Sequence, residues 1–569
     1  YKKVKYIEQN EKLSENKKIY ISKLLTYFDD SGISLQGNER AKFIALNKEQ
    51  NALTIKFNNN VMAQLNLENF QVHVSDESEL EGLPKRVITS AKEKADQLGI
   101  EGWVFGSSSE NFFAIYDYAK SDALRKRFWI EYNSTNNKGD KFDNQEIVKR
   151  LVAIRHEMAK MLGYKNHAER MLVNRMAKTP EKVFQFLNDL ADKSRTKATE
   201  EVQILQAYRA KITGDNSPFK PWEFRYWSQQ YKKDHFNFDK EKLTPYFEIT
   251  KSLDGIFKVA EKLYGLKFKY RNDLPTYDPT VKVVEVLRAN NEKVGLMYVD
   301  LFEREGTKRD GAWMMPLISQ SRTLQGERIP PVVSINANFA MASDGSSYLN
   351  FDNLTTLFHE FGHALHGLMS NVELKTQTGM SVKWDFVELP SQIMENFCYE
   401  MEALKLFAYN DDGELIPEEY IEALKKSDKF GGAFSMMSQL HRGALDMGYY
   451  TDLGENGIQD LLSLEQEATK NFQLLELTGL EKPYATSFQH IMVGGYQAGY
   501  YSYKWAEVLD ADAFAAFEET GDIFNPTISS KFETLLSSGA SKDEMQLFID
   551  FRGREPSVDY LLRRTGIID

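Results

Sequence analysis

Cysteine is almost absent from the 569-residue sequence, which carries only Cys398. No intrachain disulfide can form, and a thiolate metal cluster is excluded. The surrounding MENFCYEME reads as helix, where a lone cysteine packs as a small hydrophobe. No apolar run approaches the roughly 20 residues needed to cross a bilayer, so no membrane partner is expected. Low-complexity linkers are missing, as is any repeat with a period of 20–50 residues. There is no basic excess either. Lys and Arg total 71 against 83 Asp and Glu, a net charge of −12, which argues against a nucleic-acid partner. The sequence opens at Tyr1 without a methionine or a signal-like stretch and reads as a trimmed chain. The cytoplasm is the expected compartment, with periplasm or export left open.

What is present is a foldable globular composition, 42% hydrophobic and 27% charged, long enough for several domains or one large multilobed body. Helix signals dominate. TPEKVFQFLNDLADK offers Thr179 as N-cap and Pro180 at the first helical position. DNQEIVKRLVAIRHEMAKMLG opens on a capping box of Asp143 with Glu146 and stops at Gly163. PKRVITSAKEKADQLG runs from Pro84 to a terminal Gly99 in the same way. The turn-rich TGDNSPFKPWEF at 213–224 reads as an inter-helix loop. Strand character gathers in one region. VKVVEVLRANNEKVGLMYVDLF reads as a hairpin around Asn290-Asn291, and PPVVSINANF at 330–339 as a further strand. A small sheet over 280–340 therefore precedes FHEFGHALHG, and after residue 351 the chain reads helical almost to its end.

FHEFGHALHG, residues 358–367, holds three of the nine histidines. Leu354, Leu357, Phe358, Phe361, Leu365 and Leu368 recur at helical spacing. On that helix His359 and His363 stand four apart and share a face, so both imidazoles can converge on one ion. Glu360, one step round, is placed to touch water at the metal without ligating it, as a general base. A catalytic zinc keeps one position open and wants a third protein ligand. HExxHxxGxxH fails, because His366 stands at the glycine's place and Met369 at the last histidine's. A glutamate some twenty residues on fails too, since that neighbourhood reads MSVKWD. The next candidates are Glu388 and Glu395, seven apart and on one helical face. One can ligate while the other supports a ligand histidine. His366, also near that face, is expected in a supporting or packing role, because a fourth ligand would close the water position. His73, His156, His167, His235 and His441 read as ordinary.

HEFGHALH followed by DFVELPSQIMENF resembles the thimet oligopeptidase family of zinc metallopeptidases, which has oligopeptidase A-like and dipeptidyl carboxypeptidase-like bacterial branches. YLNFDNLTTLFHEFGHALHGL, VAEKLYGLKF, GLMYVDLFEREGTKRDGAW and FRGREPSVDYLLRRTGI extend the likeness over nearly the whole chain. The resemblance implies one Zn²⁺ per chain held by His359, His363 and Glu388, with Glu360 as general base and Glu395 behind a ligand. HIMVGGYQAGYYSYKW, residues 490–505, read alone is a Gly494-Gly495 turn entering a tyrosine-rich helix. The resemblance makes His490, Tyr496 and Tyr503 its oxyanion-binding residues, with Tyr500 between them.

By the same resemblance the fold is mainly α, a two-lobed neurolysin-like helical body around a deep channel, with a small β-sheet next to the zinc-binding helix. An N-terminal helical region over 1–130, short of its first ~100 residues, would precede a peptidase region over 131–569, with the zinc helix at 351–370. The implied partners are short unstructured peptides, cleaved internally by a monomer. Release of C-terminal dipeptides is the alternative activity, and a non-catalytic peptide-binding protein is an alternative of another class. The strand at 330–340 is expected to offer a free edge on which an extended substrate pairs.

Overall fold

A computed structural model describes the chain except for residues 237–239, 305–307, 309–310, 342–344, 456 and 569, and the side chains of Ser109 and Glu110. Part of GLMYVDLFEREGTKRDGAW thus lies outside the described residues. Helix accounts for 59% of the chain. The six helices that build or support the site are labelled α1 (Gln145–Met161), α2 (Pro180–Thr213), α3 (Phe351–Met369), α4 (Leu389–Asn396), α5 (Gly432–Tyr450) and α6 (Ser502–Glu518). None of the described helices is long and apolar enough to cross a membrane.

Local chemistry explains where several of them begin. The Thr179 side chain accepts from the Lys182 N–H ahead of Pro180, and Asn350 does the same for Asn353 at the start of α3, each satisfying a donor the helix leaves open. The helix Lys85–Leu98 stops at Gly99, whose φ is +67°, a conformation that costs glycine little. Asp143 is not the cap of α1. The helix starts one residue later, after Asn144, and the Asp143 carboxylate instead accepts from the Gln145 and Gly139 amides. The Asn144 side chain is drawn away into the core, where it donates to the Thr486 carbonyl and accepts from Asn60. Cys398 is buried as expected, but in a 3-10 turn, Phe397–Tyr399, just past the end of α4.

One five-stranded sheet holds β1 (Lys267–Tyr270), β2 (Lys282–Leu287), β3 (Lys293–Phe302), β4 (Trp313–Ile318) and β5 (Val332–Phe339), in the order β1-β2-β3-β5-β4. Asn291, with φ of +65°, makes the tight turn between β2 and β3. The sheet starts earlier than the expected residue 280, because β1 pairs antiparallel with β2. A larger correction concerns β5. It pairs parallel with β3 on one side and antiparallel with β4 on the other, so residues 330–340 present no free edge to a peptide. The edge strands are β1 and β4; on β4, beside β5, Met315, Leu317 and Ile318 are exposed and Pro316 is tolerated as on other edges.

The main hydrophobic core runs from the sheet through α3, α4 and α5 to α6, and a separate cluster around Phe70, Phe105 and Phe128 gathers the segment before α1. Inside the main core Leu354, Leu357, Phe358, Phe361, Leu365 and Leu368 are all buried. The apolar stripe of α3 therefore anchors it, leaving the His359 flank to face the site.

Candidate active site

The site begins with a close approach of two helices. Gly362 lies where α3 crosses the start of α4, and a Cβ built on it would stand 2.2 Å from the Pro390 carbonyl oxygen. Only glycine lets the two backbones meet there. That approach brings Glu388, the residue just before α4, against the imidazoles of α3. Its Oε2 lies 3.3 Å from His359 Nε2 and 3.1 Å from His363 Nε2. Replacing Gly362 by Ala is expected to overpack this crossing at a cost of about 2–3 kcal/mol and to loosen metal binding. Thermal melting and metal titration of the variant check both effects.

Among the described residues, His359, His363 and Glu388 form a group whose ligand atoms all lie within 4.8 Å of one another. Two imidazole nitrogens and one carboxylate oxygen suit a borderline cation with room for water. The surroundings fit that use. His359 Nδ1 is 2.7 Å from Glu395 Oε1, which fixes the ring and turns Nε2 toward Glu388. Glu388 Oε2 also accepts from the Ser391 hydroxyl at 2.9 Å. Burial alone would push His359 down, but Glu388 and Glu395 reverse this and raise it to about 10. The two carboxylates thus favour positive charge at this position. Replacing Glu395 by Gln should weaken metal affinity about 10- to 100-fold, measured by competition with a chelator.

Glu360 points its carboxylate into the interior. The residue is 6% exposed and Oε2 has no protein partner. Burial raises its pKa to about 7, with nearby His359 opposing and Glu388 and Glu395 adding to the rise. A carboxylate held there is poised to take up a proton and give it back near neutral pH.

Near Glu388 stand Tyr496, on the loop before α6, and Tyr503, in the first turn of α6. The rings of Tyr496 and Tyr503 stack 5.1 Å apart, and Trp384 meets Tyr496 edge-on at 4.9 Å. Burial raises the pKa of both phenols, and the Glu388 carboxylate adds to the rise. Each is therefore a neutral donor at physiological pH. His490 is exposed, its ring 5.4 Å from Tyr496 and 6.0 Å from Tyr500. Tyr500 is turned to Gln439, to which its hydroxyl donates at 3.2 Å.

His366 is kept apart. It is fully buried, neither ring nitrogen has a protein partner, and a Cβ on Gly379 would lie 2.5 Å from its Cδ2. This is a packing position. Sequence reasoning missed Asp385 and Asp446, two fully buried carboxylates. Asp385 accepts from the Met176 and Ala177 amides and the Tyr501 hydroxyl, joining the Glu388 segment to the tyrosine segment. Its signal was an acid beside Phe386 in a stretch headed for the core.

A half-buried and a buried imidazole closed by a carboxylate, with a second carboxylate on the adjoining helical position, fit a metallopeptidase. The chain is a member of peptidase family M3, whose family model matches residues 115–567. Oligopeptidase A of Escherichia coli (strain K12) is 34% identical over 562 residues, covering 98% of this chain and 82% of its own length. Dipeptidyl carboxypeptidase of the same strain is 32% identical over 542 residues, covering 94% and 78%. The fold is shared with oligoendopeptidase-F from Enterococcus faecium, at a TM-score of 0.53 and 12% identity over 100% of this chain and 78% of that one. The chain is thus an enzyme that hydrolyses peptide bonds with a metal ion.

Proposed function

We propose that the chain is a zinc-dependent oligopeptidase that cuts internal bonds of short, unstructured peptides. The observation that carries this reading is Glu388 Oε2 lying within 3.3 Å of both His359 Nε2 and His363 Nε2, with Glu360 adjoining on the same helix. His359, His363 and Glu388 would hold one Zn²⁺ per chain, and Glu395 sets the His359 ring. The ion's contribution when bound is Lewis acidity, which acidifies water and polarises a carbonyl oxygen. Glu360 takes the proton of the attacking water and delivers it to the leaving amine. The Tyr503 hydroxyl, with Tyr496 beside it and His490 at their edge, donates to the carbonyl oxygen as negative charge grows there. Replacing Tyr503 by Phe is expected to lower kcat about 100- to 1,000-fold with little change in KM, read from steady-state kinetics on a fluorogenic peptide.

The edge strand β4 is the sheet element on which an extended substrate can pair its backbone, and exposed Met315, Leu317 and Ile318 would border its side chains. Peptides short and flexible enough to lie against that edge are the substrates, and the enzyme acts as a monomer in the cytoplasm. The similarity to a dipeptidyl carboxypeptidase makes removal of C-terminal dipeptides the competing activity. Mass spectrometry of a peptide pool with free and amidated C-termini, with and without chelator, separates the two. Internal cleavage of the amidated peptides, stopped by chelator, supports the oligopeptidase. Cleavage confined to free C-termini, two residues at a time, rejects it.

A further inference from the structure

The tyrosine segment is not a free loop. Both of its ends are fastened to one helix behind it, α5, with Arg155 of α1 added at the first end, by residues outside the metal and tyrosine motifs named above. At the first end the Tyr450 hydroxyl donates to the Ile491 carbonyl at 2.7 Å, and the Arg155 guanidinium donates to the Met492 carbonyl and, at 2.5 Å, to the Tyr450 hydroxyl. At the second end Asp446 takes three successive backbone amides. Its Oδ1 accepts from Ala498 at 2.9 Å, and its Oδ2 from Gly499 at 2.8 Å and Tyr500 at 2.9 Å. Asp446 and Tyr450 stand one turn apart on α5, both fully buried, and Arg155 on α1 is 3% exposed.

The second clamp holds a strained backbone. Ala498 has φ of +49°, a left-handed conformation that a residue with a Cβ adopts reluctantly, and it persists because the surroundings fix it. Beyond it the Tyr501 hydroxyl donates to Asp385 at 2.8 Å, so α6 starts from a fixed point. The arc between the clamps is 493–497. It contains Gly494, Gly495 with φ of +90°, and Tyr496. Gly494 and Gly495 are both exposed. The arc is held by local backbone bonds, from the Gly494 amide to the Gln489 carbonyl and from the Tyr496 amide to the His490 carbonyl, whereas the segment leading to Tyr503 is pinned to the buried Asp446 carboxylate.

We propose that Asp446, with Tyr450 and Arg155, is a positioning residue of the hydrolytic reaction: it fixes the 498–500 backbone so that Tyr503 is preset to donate to the substrate carbonyl. This deepens the functional reading above and rests on the two tyrosines being the donors to the substrate carbonyl. Misplacing a catalytic group by about 1 Å can cost on the order of 100-fold in rate, and one buried carboxylate at this position is enough to do so. Asparagine in its place keeps the shape of the side chain but puts an amide donor against backbone donors.

The test uses the full chain with its metal and five variants: Asp446→Asn, Tyr450→Phe, Tyr496→Phe/Tyr503→Phe, and Asp446→Asn or Tyr450→Phe each combined with that pair. Asp446→Asn is expected to lower kcat about 10- to 100-fold and to leave KM within about threefold. In the background lacking both phenol hydroxyls the same change should add less than about threefold, because groups that act through one another are not additive. Hydrogen exchange gives a readout independent of turnover. Amides 498–500 should exchange faster in Asp446→Asn, with the body of α6 unchanged. Should Asp446→Asn fail to melt cooperatively, Tyr450→Phe carries the test, with a smaller fall in kcat, the same loss of effect in the tyrosine-free background, and faster exchange at 493–497. Full additivity, a fall in kcat/KM that lies wholly in KM, or unchanged exchange overturns the proposal. If the paired tyrosine variant keeps wild-type kcat, it is the role of the tyrosines that fails, and exchange at 498–500 then decides whether the clamp exists.

Discussion

Glu360→Gln is expected to lower kcat by about 1,000- to 10,000-fold while the protein keeps its metal and its melting temperature. The reason lies in where the carboxylate sits. It stands outside the group formed by His359, His363 and Glu388, and its Oε2 has no protein partner, so the amide removes proton transfer and leaves the metal-binding group intact. The pH profile should follow from the same group. Burial raises its pKa to about 7, and a base works only when deprotonated. Activity is therefore full above that value and falls as pH drops through it. A cation beside the carboxylate pulls its pKa down, as a protonated His359 does, so the acid limb of kcat/KM lies at or below about pH 7. In Glu360→Gln the residual rate should lose this limb. Retention of the wild-type rate and limb would assign the base elsewhere.

Glu388→Ala carries the other large effect, by a different route. Glu388 is the carboxylate that both imidazoles face, at 3.3 and 3.1 Å, and its removal leaves two neutral ligands and an open wall. Loss of the ion forfeits several kcal/mol of charge stabilisation, so activity should fall by about 10,000-fold or more. Metal analysis after dialysis separates the two variants. Glu388→Ala should come through nearly empty and regain some turnover at high zinc, whereas Glu360→Gln should come through loaded and gain nothing from added zinc.

Much of this was legible in the residues, for reasons that can be named. The helix of HEFGH was readable because Leu354, Leu357, Phe358, Phe361, Leu365 and Leu368 repeat at one period, and burial of that stripe is what the fold enforces. The hairpin around Asn290-Asn291 was readable because Asn291 accepts the positive φ that the turn requires. Strand order was not. Whether β5 lies at an edge depends on β4 folding back against it from twenty residues earlier, and alternation of apolar residues carries no record of neighbours. The α1 cap was misplaced by one residue because Asn144 found stronger partners in distant Thr486 and Asn60.

Within the site, local spacing on α3 gave the two histidines, whereas the choice between Glu388 and Glu395 needed either family resemblance or the fold. In the structure the two glutamates divide the faces of His359, one meeting Nε2 and the other Nδ1. Asp446 was invisible as a functional residue. An acid in HRGALDMGYY looks like an ordinary helix residue until α5 is seen to bury it against backbone amides from fifty residues further on.

The central claim is that one metal ion held by His359, His363 and Glu388 serves Glu360 in cutting internal peptide bonds. Zinc titration of the chelated chain tests it most directly, with turnover of a C-terminally amidated peptide measured at each addition. Turnover should rise linearly from zero and saturate at one zinc per chain, with internal cleavage products throughout. Full turnover in the metal-free chain, or a rise that continues to two ions per chain, would contradict it.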